Sequence, residues 1–322
     1  MNTLTARPYT GETDLEAIAH FLNDCERVDQ KGDFYSASRL RLEFTEPGFD
    51  PLQDLRIWED GEGRMVAFSQ IYIPPEMLDS TDAYLWFRVH PRERGSFPET
   101  DLITWGEHRL RQVARAKNLP ARLYSGSRED QRDRLNLLEA HGFIYERAFW
   151  DLQRSLIPPI PQPELPEGFT IRLAREFSIQ ASVDLYNQSF IDHWNFHAAT
   201  VEEHQHWLAD PSYRPELDLM AIAPDGTPAA FCVSGIDPEF NSLNDTNEGW
   251  ISRLGTRRGF RRQGLGRAML LAGLNALWEV GVDLAKISVD SQNPNRAYAL
   301  YQSVGFRKLY SRWVYVKDLP CG

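Results

Sequence analysis

Apolar and polar positions alternate with two different periods along this chain, and each change of period marks an element. The pattern is clearest in the last third. Residues 250–254 are a short apolar run that reads as a strand. From Leu265 the period lengthens. Leu265, Met269, Ala272, Ala276 and Val280 fall on one face of a helix over 265–280, and Gly281 suits the position just past its end. Residues 284–289 read as a second strand. Asn293-Pro294 precedes a last helix that Gly305 ends, and two closing strands are expected near 306–310 and 312–316. Upstream, Thr170-Ile171-Arg172 reads as a strand, and 179–190 and 201–208 as helices. Residues 219–223 and 229–236 are strands around an Asp225-Gly226 turn. The pattern predicts an α+β fold: a mixed, largely antiparallel sheet flanked by helices.

The succession occurs twice. Thr5-Ala6-Arg7 matches Thr170-Ile171-Arg172, and His20-Phe21-Leu22-Asn23 matches Asp184-Leu185-Tyr186-Asn187. Ala67-Phe68 matches Ala230-Phe231, and Arg92-Glu93-Arg94-Gly95 matches Arg261-Arg262-Gln263-Gly264. Gly142-Phe143 and Trp150 match Gly305-Phe306 and Trp313. The offset stays between 163 and 169 residues throughout, which implies two copies of one domain. Between the copies lie Pro158, Pro159, Pro161, Pro163 and Pro166. Proline fixes φ and removes a donor, so this stretch reads as an extended linker. The expected division is a domain over 1–155, a linker over 156–168 and a domain over 169–322.

At 322 residues the chain is long enough for two such domains. A net charge of −11 argues against nucleic acid as a partner, because phosphate backbones need basic surfaces. No apolar run approaches a membrane span. Residues 1–7 hold no signal-peptide core, and Cys25, Cys232 and Cys321 suggest neither a disulfide framework nor zinc spacing. A soluble cytoplasmic protein, monomer or homodimer, is the expectation.

Against that acidic background, five arginines crowd into 257–267, among the glycines Gly255, Gly259, Gly264 and Gly266. Strand, then glycines among arginines, then helix is an anion-binding construction. Gly264 and Gly266 let backbone N–H groups approach a ligand, and the helix start adds unpaired donors and a positive dipole end. The implied ligand carries a diphosphate.

The run Arg261-x-x-Gly264-x-Gly266 resembles the acyl-CoA pyrophosphate loop of the GNAT acetyltransferases. Asn293, then Leu300-Tyr301 and Gly305-Phe306, follow in the order and spacing of that family. The resemblance covers roughly the last third of the chain. It implies acetyl-CoA as cosubstrate, no metal, and transfer to a small-molecule amine by direct attack on the thioester. It further implies that backbone N–H groups of Gln263, Gly264, Leu265, Gly266 and Arg267 cradle the pyrophosphate, with Arg261 and Arg262. Leu254, Gly255 and Thr256 match the strand that receives the pantetheine arm and the thioester oxygen. Tyr301 matches the general acid, since a phenol is protonated at neutral pH. Asn293 matches a residue near the cofactor arm, or else caps the last helix. Glu248, just before the strand, is the candidate base, with a solvated loop glutamate as the alternative and Asp290 as a weaker candidate. Asp192, His193 and Trp194 fall in the region that covers the acceptor site. His193 and His197 have helix metal-ligand spacing but no paired glutamate, so no metal is expected.

The first copy departs from the family. Phe97 stands where Gly266 stands, Glu99 and Asp101 occupy the first turn of the next helix, and Leu138 replaces Tyr301. Two tandem domains with a degenerate first copy resemble the mycothiol synthase group. That group acetylates a cysteinyl amine on a glucosaminyl-inositol. The rival readings are a non-catalytic acyl-CoA-binding sensor, which would keep the loop and lose the acid, and a tRNA-dependent aminoacyl transferase, which needs a basic channel.

Overall fold

The computed structural model describes residues 4–30, 32–74, 79–95, 99–157 and 159–320; Phe97, Pro158 and Cys321 lie outside them. In chain order the elements are β1 (Thr5–Pro8), α1 (Glu12–Asp29), α2 (Ala37–Glu43), α3 (Pro51–Asp54), β2 (Leu55–Glu59), β3 (Met65–Tyr72) and β4 (Thr81–Val89). Then come α4 (Glu99–Lys117), β5 (Ala121–Arg128), α5 (Arg132–Ala140) and β6 (Ile144–Ser155). The succession restarts with β7 (Thr170–Leu173), α6 (Ile179–Phe190), α7 (Val201–Leu208), β8 (Tyr213–Ile222), β9 (Pro228–Gly235), α8 (Pro238–Asn244) and β10 (Glu248–Thr256). It ends with α9 (Leu265–Glu279), β11 (Leu284–Asp290), α10 (Ala297–Ser303) and β12 (Arg307–Leu319).

The chain divides into two compact units, one of 1–146 with 313–322, the other of 147–312. This division differs from the one expected at 155 and 168. The last strand supplies residues 313–319 to the first unit, and residues 147–155 of β6 belong to the second. The proline-rich stretch lies inside the second unit. Leu156 and Ile160 are buried in its core, and Asn275 Nδ2 donates to the Pro161 carbonyl at 3.1 Å. The two closing strands expected from the sequence are one strand, β12. No glycine, proline or asparagine stands between 307 and 319 to turn the chain.

In the second unit the strand order is β6-β11-β10-β9-β8-β7. Only β10 and β11 pair in parallel among the described pairings of this unit. β8 and β9 turn through Gly226, at φ +87°, with Asp225 Oδ1 accepting from Thr227 N at 2.9 Å. Helix α9 is buried along most of its length against β8, β9 and β10. Gly273 lets it lie close, since a Cβ there would collide with Cys232 of β9. Opposite, α6 packs Leu185 against Met220, Ile222 and Phe231. Two helical layers thus cover the two faces of one sheet, and the parallel pair runs between them.

In the first unit the order is β1-β2-β3-β4-β5-β12, again with one parallel pair, β4 and β5, among the described pairings. Gly126 of β5 has no room for a Cβ, because the Trp313 carbonyl of β12 stands there.

Candidate active site

β10 and β11 pair from Glu248↔Leu284 to Ile251↔Ile287 and then part. Each keeps its other neighbour beyond that point. β10 stays on β9 as far as Thr256↔Ala230, and β11 stays on β6 as far as Asp290↔Phe149. Sheet pairing elsewhere satisfies backbone groups; here 252–256 and 288–290 instead line a cavity of about 750 Å³.

A bulge between Ile251 and Arg253 sets which side chains reach each face. Before it, Gly249 faces α9: a Cβ there would lie 2.6 Å from Leu277. Ile251 is buried in the same core. After the bulge, Leu254 and Thr256 take that side, Thr256 Oγ1 lying 3.6 Å from where a Gly266 Cβ would be. Arg253 and Gly255 turn to the α6 side. Gly255 is required there, since a Cβ would come within 2.5 Å of Phe231 and 2.9 Å of Ser189.

The loop after β10 has two left-handed residues close together, Arg262 at φ +65° and Gly264 at φ +89°. Such alternation turns successive N–H groups to one side as an anion nest. The N–H groups of Arg262 to Gly266 find no acceptor among the described residues. A Cβ on Gly266 would meet only ordinary contacts at 3.6 Å, so the backbone packing there does not itself demand glycine. The room beside Gly266 belongs to the cavity. Arg262 and Arg267 are exposed on its lining, with Arg267 Nη1 donating to Ser303 Oγ at 3.1 Å.

Arg261 has a different task. It donates to the Thr256 carbonyl at 3.2 Å, the Ser189 carbonyl at 2.8 Å and Asp192 Oδ2 at 2.6 Å. Arg258 grips the same carboxylate. Asp192 therefore ties the loop to the end of α6 as a buckle, and it also lies on the cavity lining, where it was expected as a substrate contact. Hydrogen bonds from Arg258, then Arg261, hold its carboxyl below the usual range.

The other expected residues separate. Gln263 is exposed away from the cavity lining, and the Leu265 side chain is buried in the core, which leaves both only their N–H groups to offer. His193 lines the cavity; the Trp194 side chain does not, lying beneath Arg147 at 4.2 Å and 6.0 Å from Phe149. Asn293 lines the cavity. It does not cap α10, whose N-cap is Arg296; its Oδ1 accepts from Asn295 N at 2.9 Å, shaping the preceding turn. Glu248 is the clearest correction. It is 4% exposed, bound to Lys286 at 2.5 Å and to Trp250 Nε1 at 3.2 Å, and it does not line the cavity. The parallel strand beside it supplies the lysine that occupies it.

Tyr301, on α10, lines the cavity while only 6% exposed. Burial pushes its phenol well above the ordinary tyrosine value. Asp290 also lines it, buried and paired with Arg147 at 2.6 Å. Residues the sequence reading passed over are Phe149, Tyr186, Phe190 and Arg253, all on the lining. Arg253 carried a signal, as a lone charge inside the apolar run 250–254.

The first unit has the same opening with a different content. β4 and β5 part after Tyr84↔Tyr124, while β4 stays on β3 as far as Val89↔Ala67. Arg134 of α5 reaches into this opening. It donates to the Phe87 carbonyl of β4 at 2.6 Å and to the Gly126 carbonyl of β5 at 3.1 Å, with its guanidinium 3.9 Å from the Phe87 ring. Burial, then Arg88, pushes Arg134 down to about 9, still charged at neutral pH. Ala297 stands at the equivalent place, eight residues before Gly305 as Arg134 is before Gly142. In the second unit that place is cavity wall.

Residues 179–306 match the acetyltransferase (GNAT) family. They are a GNAT acetyltransferase domain. The chain is 32% identical over 178 residues to the mycothiol acetyltransferase of Thermobispora bispora, 55% of this chain and 58% of that one. The chain spans between 52% and 58% of the length of this and two further mycothiol acetyltransferases, from Salinispora tropica and Salinispora arenicola. A GCN5-related N-acetyltransferase from Sphaerobacter thermophilus superposes with a TM-score of 0.73 at 25% identity, over 98% of this chain and 95% of that one. A tandem GNAT protein from the clavulanic acid biosynthesis pathway shares the fold, with a TM-score of 0.70 at 15% identity over 98% of each chain. The GNAT domain thus sits within a tandem GNAT fold. Among the described residues no helix is long and apolar enough to cross a membrane, and no cluster of three or more His, Cys, Asp or Glu residues could hold a metal ion.

Proposed function

We propose that this protein is an acetyl-CoA-dependent N-acetyltransferase acting on a small amine, with its chemistry in the unit of residues 147–312. One observation carries the reading. The opening between β10 and β11 has an anion nest at one end and a buried phenol on its wall. The residues fit the cosubstrate: unpaired N–H groups at 262–266 and open space at Gly266 suit a diphosphate, flanked by Arg262 and Arg267. When bound, the thioester supplies the acetyl group that the amine attacks directly.

This chain's residues do the rest. The Asp192 buckle holds the loop in shape. Backbone donors of 254–256 on the side that no longer pairs with β11 polarise the carbonyl at little reorganisation cost. Tyr301 keeps its proton until the thiolate leaves and then donates it from Oη. With Glu248 engaged elsewhere and the lining carboxylates Asp192 and Asp290 held by arginines, we assign the amine's proton to water, the amine reacting as its neutral form.

The first unit is assigned no catalysis and no acyl-CoA, because Arg134 fills its opening. A reducing cytoplasm fits Cys25 and Cys232, both buried and unpaired. The rival sensor reading would not need a phenol on the cavity wall. Release of CoA from acetyl-CoA with a panel of amines, wild type against Tyr301→Phe, tests the proposal. The expected result is turnover that falls about 100-fold in the variant. Equal turnover would remove the acid role, and no turnover with firm acetyl-CoA binding would favour the sensor.

A further inference from the structure

Three consecutive residues span the opening on its α6 side. Asp192 is held by Arg261, which also donates to the Thr256 carbonyl at the end of β10 at 3.2 Å. Trp194 lies beneath Arg147, and Arg147 pairs with Asp290 at the end of β11 at 2.6 Å. His193, between them, is thus carried across the gap that β10 and β11 leave when they part. Its ring stands edge-on to Phe190, centroids 5.6 Å apart, and lines the cavity.

The main chain fixes the tautomer of that ring. His193 Nδ1 lies 3.2 Å from the Trp194 carbonyl oxygen. A carbonyl oxygen only accepts, so Nδ1 carries the proton. In the neutral ring Nε2 is then a bare lone pair, and it has no hydrogen-bond partner among the described residues. The carboxylates of the lining are engaged elsewhere, Asp192 by Arg258 and Arg261, Asp290 by Arg147. The other charged side chains of the lining are cations: Arg253, over Trp207 at 4.1 Å, and Arg261, Arg262 and Arg267 of the loop. That leaves His193 as the described lining residue with an uncommitted basic nitrogen.

Its place also complements the phenol. Tyr301 packs in the core under α9 with Leu265 and Met269, and Gly266 of the nest lies beside Leu300 of the same helix α10. Phe190, against which His193 stands, packs instead in the core under α6. The cavity therefore has a proton donor and the nest on one side of the sheet and a proton acceptor on the other. Direct attack needs that separation, because the amine approaches the carbonyl from one side while the sulfur leaves on another.

We infer that His193 Nε2 takes the acceptor amine's proton, through a water, before the amine attacks the thioester. This rests on the N-acetyltransferase reading above and supplies the destination of its water step. The ammonium gives one proton through the water to Nε2, and the N–C bond then forms as the C–S bond breaks. Tyr301 protonates the sulfur. The second proton of the nitrogen replaces, by way of solvent, the one that Tyr301 gave, and His193 releases its own.

The test uses the full-length protein and divides the amine panel by charge. Alkylamines such as 2-phenylethylamine are cations at pH 7, whereas arylamines such as 4-methoxyaniline are already neutral. His193→Asn keeps a donor where Nδ1 stands and removes Nε2. Its kcat/KM for the alkylamines should fall by about 100-fold at pH 7, and most of the loss should be recovered by pH 9. For the arylamines it should stay within about threefold of wild type, as should the KM for acetyl-CoA. Added imidazole should restore part of the alkylamine turnover to His193→Ala. An equal loss with both amine classes, or no loss with either in the folded variant, overturns the inference. So does a nitrogen NMR spectrum of the ring that places the proton on Nε2 and leaves Nδ1 bare. Failure of the transferase reading looks different, and takes this inference with it: acetyl-CoA binds to wild type and no amine of either class releases CoA.

Discussion

Arg134 Nη1 lies 2.6 Å from the carbonyl oxygen of Phe87, and the same guanidinium reaches across to β5 through Gly126. A side chain thus closes in the first unit the gap that the second unit leaves open. One chain should then bind one acetyl-CoA. Calorimetry giving a stoichiometry near one fits this; a value near two would contradict it. Arg134→Ala should cost about 2–4 kcal/mol of stability in denaturant unfolding, because it opens a buried void and strips two charge-assisted hydrogen bonds.

We assign Asp192 to the loop rather than the acceptor, on its two arginine partners. Asp192→Ala releases Arg258 and Arg261 together. The KM for acetyl-CoA should rise about tenfold with kcat nearly unchanged, the mark of lost uniform binding. A specific loss of acceptor affinity with normal acetyl-CoA binding would return Asp192 to the acceptor site.

Glu248 should prove structural. Glu248→Gln leaves Lys286 without its charge partner, Lys286 being 17% exposed and Glu248 5% by side chain. A loss of about 2–3 kcal/mol in stability is expected, with turnover within about threefold of wild type at a temperature where both are folded. Turnover falling by orders of magnitude in a folded variant would restore it as the base.

His204 should make the second unit acid-sensitive. Burial, then Arg253, pushes its imidazole down to about 4. A depressed folded value means that stability is fully present above the unfolded pKa of about 6.5 and is lost as pH falls towards 4. Wild type should lose about 1–2 kcal/mol at pH 5 from this group, after allowance for its partial exposure. Asp218, pushed up to about 6 mainly by burial, acts in the opposite sense over roughly pH 4–6. Comparing wild type with His204→Gln by denaturant unfolding at pH 7 and pH 5 isolates the histidine. The same pH-dependent loss in both proteins would contradict it.

What could be read from the sequence was what is encoded locally. The spacing of Leu265, Met269, Ala272 and Ala276 located α9, and the glycines with their arginines located the nest. What could not be read depends on residues brought together by register. The bulge at 252 has no marker of its own, yet it decides that Arg253 faces α6 rather than α9. Glu248 looked available because its partner, Lys286, is 38 residues away on the parallel strand. Arg134 is an ordinary helix residue until the parting of β4 and β5 gives it two carbonyls to bridge. Two closing strands were expected where β12 is one, and its residues 313–319 belong to the other unit.

The most direct measurement is acetyl-CoA binding to Gly266→Asp. A Cβ there meets only ordinary contacts, and an acidic residue in the first turn of α9 favours the helix by about 0.3–1 kcal/mol. The same carboxylate would stand where the nest meets a diphosphate. Calorimetry on wild type and variant, with melting temperature measured alongside, should show affinity falling by about 100-fold or more while the melting temperature holds or rises. Unchanged affinity in the folded variant would mean that the main-chain amides at 262–266 do not hold the ligand.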